Sequence, residues 1–341
     1  MSNGILLIYT GGTIGMIQDH ETGTLKPFNF KNLRKHIPEL SRFNFPIDSI
    51  SLEHPIDSSN MQPHIWVEIA SIIESHYNQY NGFVILHGSD TMAYTASALS
   101  FMLANTEKPI VLTGSQLPMG IIRTDGRENL ITAIEIAHAQ KKGKPIIQEV
   151  VIYFEYYLYR GNRAVKSNAT LFEAFSSPNY PILAEAGVHI QYYNVSNIVK
   201  NKGKYAVNKQ ISQDVLSLRL FPGISNKSVE YLLKTPHLRG LVLETFGSGN
   251  APTDKEFIDL IKQAINKGIV VVNVSQCLKG GVLQGKYETS KLLEDIGVIS
   301  AKDMTFEAAI TKLMYLLGIY TSSSKVKKLF QQNLRGEMME D

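Results

Sequence analysis

What most restricts the fold of this chain is an alternation kept up along nearly its whole length. Short apolar, often β-branched runs (Ile5–Tyr9, Gly82–Leu86, Pro109–Leu112, Val150–Phe154, Gly240–Leu243 and Gly268–Val274) are separated by stretches with apolar residues every three or four positions. The runs have the length and uniformity of buried strands. Between them, Ile65, Ile69, Ile72 and Ile73 fall on one face of a helix, as do Met92, Ala96, Leu99 and Leu103, and residues 126–140 repeat the pattern. Strand and helix in turn predict a mostly parallel sheet flanked by helices.

At 341 residues the chain has material for about two domains. A polar zone rich in Asn, Ser, Lys and Gly interrupts the alternation. It divides the chain into a larger N-terminal α/β domain (1–190), a linker (191–213) and a smaller C-terminal α/β domain with a parallel sheet (214–341). In the latter, Phe306, Ala309, Ile310, Leu313 and Met314 form a helical stripe behind two capping residues, Asp303 and Thr305. A last helix carrying Val326, Leu329 and Phe330 is expected before the tail frays.

The formal charge is only +3, from 34 basic and 31 acidic residues spread along the chain, so no nucleic-acid face is expected. The densest basic stretch, Lys200 to Lys209, reads as solvated linker. No apolar run nears the roughly 18 residues of a membrane helix, and Met1–Gly4 lacks the positive charge of a signal peptide. The single cysteine, Cys277, excludes an intrachain disulfide and suits a reducing cytoplasm. Beside the end of an apolar strand, it is expected to be a buried structural thiol.

Chemistry gathers where strands end. The first run stops at Thr10-Gly11-Gly12-Thr13, the second at His87-Gly88-Ser89-Asp90, the third at Thr113-Gly114-Ser115-Gln116, and the strand near Val150 leads into Arg160 through Lys166. Ligands of open α/β sheets collect beyond the carboxyl ends of strands, so one shared edge is expected to bring these groups together. A threonine hydroxyl needs a base or relay to act as a nucleophile, and a desolvated lysine can supply it. Backbone amides beside Gly11 and Gly88 could hold an oxyanion. Acyl transfer is the reaction class this suggests. Each residue also has a plainer reading: a tight turn for Thr10–Thr13, an N-cap for Asp90, a surface charge for Lys166, a core histidine satisfied by backbone for His87. Spacing alone does not choose. No His, Cys or carboxylate spacing suits zinc, and neither a dinucleotide glycine pattern nor a Walker A lysine occurs, so neither metal nor cofactor is expected.

Jointly, these segments resemble the bacterial-type L-asparaginase family, in particular its cytoplasmic type I branch. The resemblance spans almost the entire chain: Thr10–Met16, His87–Met92, Arg160-Gly161-Asn162-Arg163 with Lys166, Ser177–Pro181, Gly247 through Pro252, and Gly297–Ile299 with Asp303-Met304-Thr305. It implies that Thr13 attacks the side-chain amide of L-asparagine, that ammonia leaves, and that water hydrolyses a β-aspartyl enzyme. By the same resemblance Ser89, Asp90 and Lys166 relay protons, and Asp90 also pairs with the substrate's α-ammonium. Ser58 and Ser59 hold its α-carboxylate, with Gly12 and Gly88 among the substrate-binding residues. A cytoplasmic homodimer or homotetramer without cofactor is implied.

Three departures stand out. Ser89 replaces the family's usual threonine. Thr22-Gly23-Thr24-Leu25 offers no tyrosine where the family's mobile loop often has one, while Tyr287 matches a tyrosine that completes the site from a neighbouring subunit in some members. Val165 stands where members activated by a second asparagine carry threonine, so such activation is not expected here. Two other readings keep the fold: an asparaginase-like amidotransferase subunit, whose extra amino-terminal domain is not expected here with a first strand at Ile5, and a non-catalytic amino-acid sensor, which would be expected to lack Thr13 or Lys166.

Overall fold

The apolar runs become the central strands of two sheets. A computed structural model describes residues 4–18, 25–27, 37–193, 203–285 and 288–340, which fall into two compact units, Met1–Lys209 and Gln210–Asp341.

The first unit is built on an eight-stranded sheet. Its strands are β1 (Ile5–Gly11), β2 (Ile47–Ile56), β3 (Gly82–Leu86), β4 (Ile110–Thr113), β5 (Val150–Phe154), β6 (Tyr157–Arg160), β7 (Ala184–Ala186) and β8 (Ile190–Tyr192), in the order β8-β7-β6-β5-β4-β3-β1-β2. Strands β1 to β5 are parallel; β6, β7 and β8 extend the sheet antiparallel. Every residue of β1, β3 and β5 is buried, which is why these runs are apolar throughout rather than alternating. Burying each large aliphatic side chain contributes about 1.5–3 kcal/mol. Helices α1 (Pro63–His76), α2 (Met92–Met102) and α3 (Gly126–His138) accompany the sheet. Leu130, Ala133, Ile134 and Ala137 of α3 join Leu7, Val84, Val111 and Val151 of the strands in one core.

The second unit holds a four-stranded, wholly parallel sheet in the order β9 (Val215–Arg219), β10 (Gly240–Thr245), β11 (Val270–Ser275), β12 (Ile299–Ser300). Helices α4 (Asn226–Leu233), α5 (Lys255–Asn266), α6 (Glu288–Asp295), α7 (Phe306–Ile319) and α8 (Ser323–Phe330) complete it. Leu241, Leu243 and Val271 pack with Val229, Phe257 and Ile261. The α/β class and the parallel-dominated sheets are as the alternation predicts. No helix among the described residues is long and apolar enough to cross a membrane.

Several local expectations need correction. Helix α2 is buried on nearly every side, not along one stripe. In α1, Trp66 and Ala70 join Ile65, Ile69 and Ile73 in the core, and Ile72 is only half-buried. The buried face of α7 runs through Ala308, Ala309, Lys312, Leu313, Leu316 and Leu317, whereas Phe306, Ile310 and Met314 are half-buried. Thr305 caps this helix by accepting from the Ala308 amide, but Asp303 instead accepts from the Met339 amide. Cys277 is exposed, because it lies in the turn beyond β11 rather than within it. Residues 203–209 are not simply solvated. Tyr205 stacks on Tyr77 with ring centroids 3.6 Å apart, Ala206 and Val207 pair with Ala104 and Leu103, and Lys209 pairs with Glu74. The tail also stays packed beyond the last helix, with Glu337 fully buried against Lys312.

Candidate active site

Three parallel strands deliver three loops to the same edge. At the end of β1, Gly11 and Gly12 have φ of 124° and 82°, in the left-handed region where side chains are strained. Close approach demands glycine as well. A Cβ on Gly12 would lie 2.5 Å from the Cα and N of Gly88, and one on Gly88 would lie 2.6 Å from Ser58 Oγ. The loops after β1 and β3 therefore touch backbone to backbone, the Ser58 side chain closes on Gly88 from the loop after β2, and half-buried Thr13 follows Gly12 in the chain. Tyr9 fastens the short helical turn Thr13–Gly15 by donating to the Gly15 carbonyl. Thr10 Oγ1 donates to the Leu86 carbonyl at 3.0 Å. These bonds make Thr10–Gly15 a turn built against a second loop, which absorbs the plainer reading without excluding chemistry at Thr13.

Past β2, Asp57 accepts from both the hydroxyl (2.7 Å) and the amide (2.8 Å) of Ser59, and these bonds hold its carboxyl below the ordinary range. Both donors of Ser59 are thus engaged by Asp57. Ser58 is buried, and its carbonyl accepts from Thr91 Oγ1 at 2.7 Å.

Past β3, His87 is fully buried, and burial pushes its imidazole down to about 4. Nδ1 lies 2.6 Å from the Gly88 carbonyl, which only accepts, so Nδ1 carries the proton. Nε2 of the neutral ring must then accept from Thr95 Oγ1 at 2.9 Å, and Thr95 accepts in turn from Trp66 Nε1 at 3.0 Å. The core-histidine reading holds, and its product is a fixed Gly88 peptide. Asp90 does not cap α2; the N-cap is Thr91, whose side chain makes no capping bond and donates to the Ser58 carbonyl instead.

Lys166 Nζ donates to Ser89 Oγ at 2.9 Å and pairs with the Asp90 carboxylate at 2.5 Å. It is therefore no free surface charge; its side chain is 17% exposed, against 63% for Asp90. The route by which it arrives differs from the one expected. β6 runs antiparallel, with Arg160 beside Val151, so its carboxyl end points away from the site. The chain turns at Gly161–Arg163 next to Ala96 of α2, and Val165–Lys166 pairs with Phe175–Ser176. Buried Arg160 pairs with Glu149 at 2.7 Å, and both Arg160 and buried Arg163 lie over the Tyr180 ring, 4.2 and 5.3 Å from its centroid. The Arg160–Arg163 and Ser177–Pro181 segments thus anchor the return that brings Lys166 to Ser89.

Of the expected residues, Gly12, Gly88, Ser58, Ser89, Asp90 and Lys166 meet, with Thr13 beside them. Tyr287 and Thr22–Thr24 lie outside the described residues. The Gly12 amide beside Gly11 donates to the Ile56 carbonyl at 3.0 Å, so it is not placed for an oxyanion. Gln116, at a strand end with the others but not among the expected site residues, joins them: its Oε1 accepts from Ser89 Oγ at 3.3 Å. No group of three or more His, Cys, Asp or Glu suited to a metal occurs among the described residues.

Fold and site together define an α/β protein in which a hydroxyl, a lysine and a carboxylate meet where parallel strands end. The model of the family described as "Asparaginase, N-terminal" matches residues 4–197, and that of the "Glutaminase/Asparaginase C-terminal domain" matches residues 214–330. The chain is 43% identical over 338 residues to L-asparaginase 1 of Escherichia coli (strain K12), spanning 99% of this chain and 98% of that one. It is 42% identical over 360 residues to the 60 kDa lysophospholipase of Mus musculus, spanning 98% of this chain and 62% of the mouse protein. The solved structure of L-asparaginase I from Vibrio cholerae O1 biovar eltor matches with a TM-score of 0.88 at 41% identity, over 100% of both chains. The chain belongs to the asparaginase family.

Proposed function

We propose that the chain is an L-asparaginase, hydrolysing L-asparagine to L-aspartate and ammonia through Thr13. The observation that carries this reading is Lys166 Nζ, bonded at once to Ser89 Oγ and Asp90 beside the Gly12–Gly88 contact. Thr13 Oγ attacks the side-chain carbonyl carbon and forms a β-aspartyl ester as the C–N bond breaks. Lys166, through Ser89, supplies a proton to the departing nitrogen, which leaves as ammonia, and the relay takes up in exchange the proton that Thr13 Oγ gives up. Water then adds its hydroxyl to the carbonyl carbon, the ester C–O bond breaks, and the water's proton goes to Thr13 Oγ. The amide of Ser89, beside Gly88, is the remaining backbone donor toward the oxyanion. Asp90, exposed and engaged among the described residues by Lys166 alone, offers its other oxygen to the substrate's α-ammonium. Ser58 takes the α-carboxylate, and Ser59 joins it on releasing Asp57. No metal or cofactor enters these steps.

The division into a catalytic domain (1–190), a linker (191–213) and a C-terminal domain (214–341) belongs to this proposal. So do a cytoplasmic location, and a homodimer or homotetramer in which Tyr287 completes a neighbour's site. The two family matches, ending at 197 and starting at 214, support the division.

Ammonia release by the purified chain over a range of L-asparagine concentrations tests the activity, with L-glutamine alongside. Turnover on asparagine without any partner protein is expected. A hyperbolic curve is expected too, because buried Val165 has no polar side-chain atom for a second asparagine. No ammonia from a folded sample would refute the assignment, and a sigmoidal curve would refute the reading of Val165. One methylene separates the two amides, a difference worth about 1–3 kcal/mol in a pocket.

A further inference from the structure

We propose that Gln116 is a positioning residue that sets the direction of the Ser89 hydroxyl, and with it the direction of proton movement between Lys166 and Ser89. The inference rests on the reading of Ser89 and Lys166 given above and adds to it a residue that touches neither Thr13 nor Lys166 in the bonds described.

A serine hydroxyl has no γ-methyl to restrict χ1, so its three staggered wells stay open unless a neighbour selects one. Here the selection is fully determined. Gln116 Nε2 donates to the Leu171 carbonyl at 2.9 Å. A carbonyl only accepts, so the amide cannot be turned around, and Oε1 must face Ser89. Oε1 only accepts as well, so the proton of Ser89 Oγ lies toward Gln116, at 3.3 Å. Ser89 is left with lone pairs toward Lys166, which donates at 2.9 Å.

Gln116 is itself braced. Its amide and that of Leu117 donate to the buried carboxylate of Asp125 at 2.8 and 3.1 Å. Asn129 Nδ2 reaches the same carboxylate at 3.2 Å and the Gly114 carbonyl at 3.0 Å. The loop at the end of β4 is therefore tied to the first turn of α3 on both sides of Ser115.

The consequence is a one-way relay. Ser89 turns its O–H from Gln116 Oε1 to the departing substrate nitrogen. That O–H bond breaks as the proton reaches nitrogen, and a Lys166 N–H bond breaks as a second proton moves to Ser89 Oγ. Lys166, left a neutral amine, recovers its proton from the Thr13 O–H bond that breaks as the ester forms, and the water that cleaves the ester returns a proton to Thr13 Oγ. Gln116 holds the starting arrangement and receives the hydroxyl back.

The test replaces Gln116 by methionine, which keeps chain length and removes the amide. Ammonia release from L-asparagine is measured for the wild type, Gln116→Met, Ser89→Thr and the double variant, with a thermal melt of each. Loss of one hydrogen bond to a reacting group predicts a kcat about five- to tenfold lower in Gln116→Met, with KM within about twofold. The β-branched side chain of Ser89→Thr restricts χ1 by itself, so Gln116→Met should cost less than about twofold in that background. An unchanged kcat in Gln116→Met overturns the proposal. So does an equal loss in both backgrounds, since a brace for the loop would act regardless of the residue at 89. Ser89→Ala separates the two levels. Wild-type turnover in Ser89→Ala removes Ser89 from the machinery, and this inference with it; an inactive Ser89→Ala beside an unaffected Gln116→Met removes Gln116 alone.

Discussion

Two titratable residues near the site act on stability in opposite directions. Burial holds His87 at about 4, below its ordinary 6.5, so the folded protein resists protonating it. Its contribution is present above pH 6.5 and lost as pH falls toward 4, up to about 3 kcal/mol for the full shift. Glu155 is pushed up to about 7, first by burial and then by Asp125, Glu173 and Glu128. Its contribution is present below its ordinary 4.5 and lost as pH rises through 7. The two slopes partly cancel in the intact protein, so variants are needed to separate them. Urea melts from pH 4 to 7 should show that His87→Gln removes a rise with pH, leaving a stability that falls across the same range. An unchanged profile would mean the imidazole is not held neutral by its surroundings. Part of this scale was legible in the sequence: close approach demands glycine at positions 12 and 88, so a glycine at each strand end signals the loop-to-loop contact beside which Thr13 and Ser89 stand. Gln116 was not, because a glutamine at a strand end carries no signal until its partner Leu171, 55 positions on, is known.

Among the elements, the hairpin of β5 and β6 shows where pattern reading ran out. Phe154 pairs with Tyr157, so Glu155 and Tyr156 form a two-residue loop, with φ of 38° and 67°. Such loops favour Asn-Gly, and neither residue is present to announce the turn. β6 consequently read as part of a path to the shared edge, whereas it runs the other way and Lys166 returns alongside α2. The same geometry gives a prediction. Tyr156 is exposed and carries the left-handed strain of a side chain, so Tyr156→Gly should stabilise the first unit by about 0.5–1 kcal/mol. A higher urea midpoint at unchanged slope would bear this out. A lower midpoint would show that contacts of the ring outweigh the strain.

For the molecule as a whole, two parallel-centred sheets were readable because fully buried strands must be apolar throughout. What holds the carboxyl terminus was not. Lys312 and Glu337 are both fully buried and paired; Lys312 also donates to the Gln332 carbonyl at 2.6 Å, and the Glu337 carboxylate accepts the Leu334 and Arg335 amides. A lysine within a helix is ordinarily assigned to solvent, and nothing local links positions 312 and 337. Lys312→Met leaves a buried carboxylate unpaired and should cost about 3–5 kcal/mol, while Lys312→Met with Glu337→Leu should recover most of it. Urea melts of the two variants check this; equal loss in both would mean that packing of the lysine stem, not its charge, is what the second unit needs.

The central claim is that Thr13 forms the covalent bond to substrate. It is tested most directly by the ammonia release rate of Thr13→Ala at saturating L-asparagine, beside wild type of matched circular dichroism and melting temperature. Removal of a nucleophile that works with a relay predicts a loss of at least about 10⁴-fold in kcat. A folded Thr13→Ala protein that turns over within about tenfold of wild type would contradict the assignment and move the nucleophile elsewhere in the site.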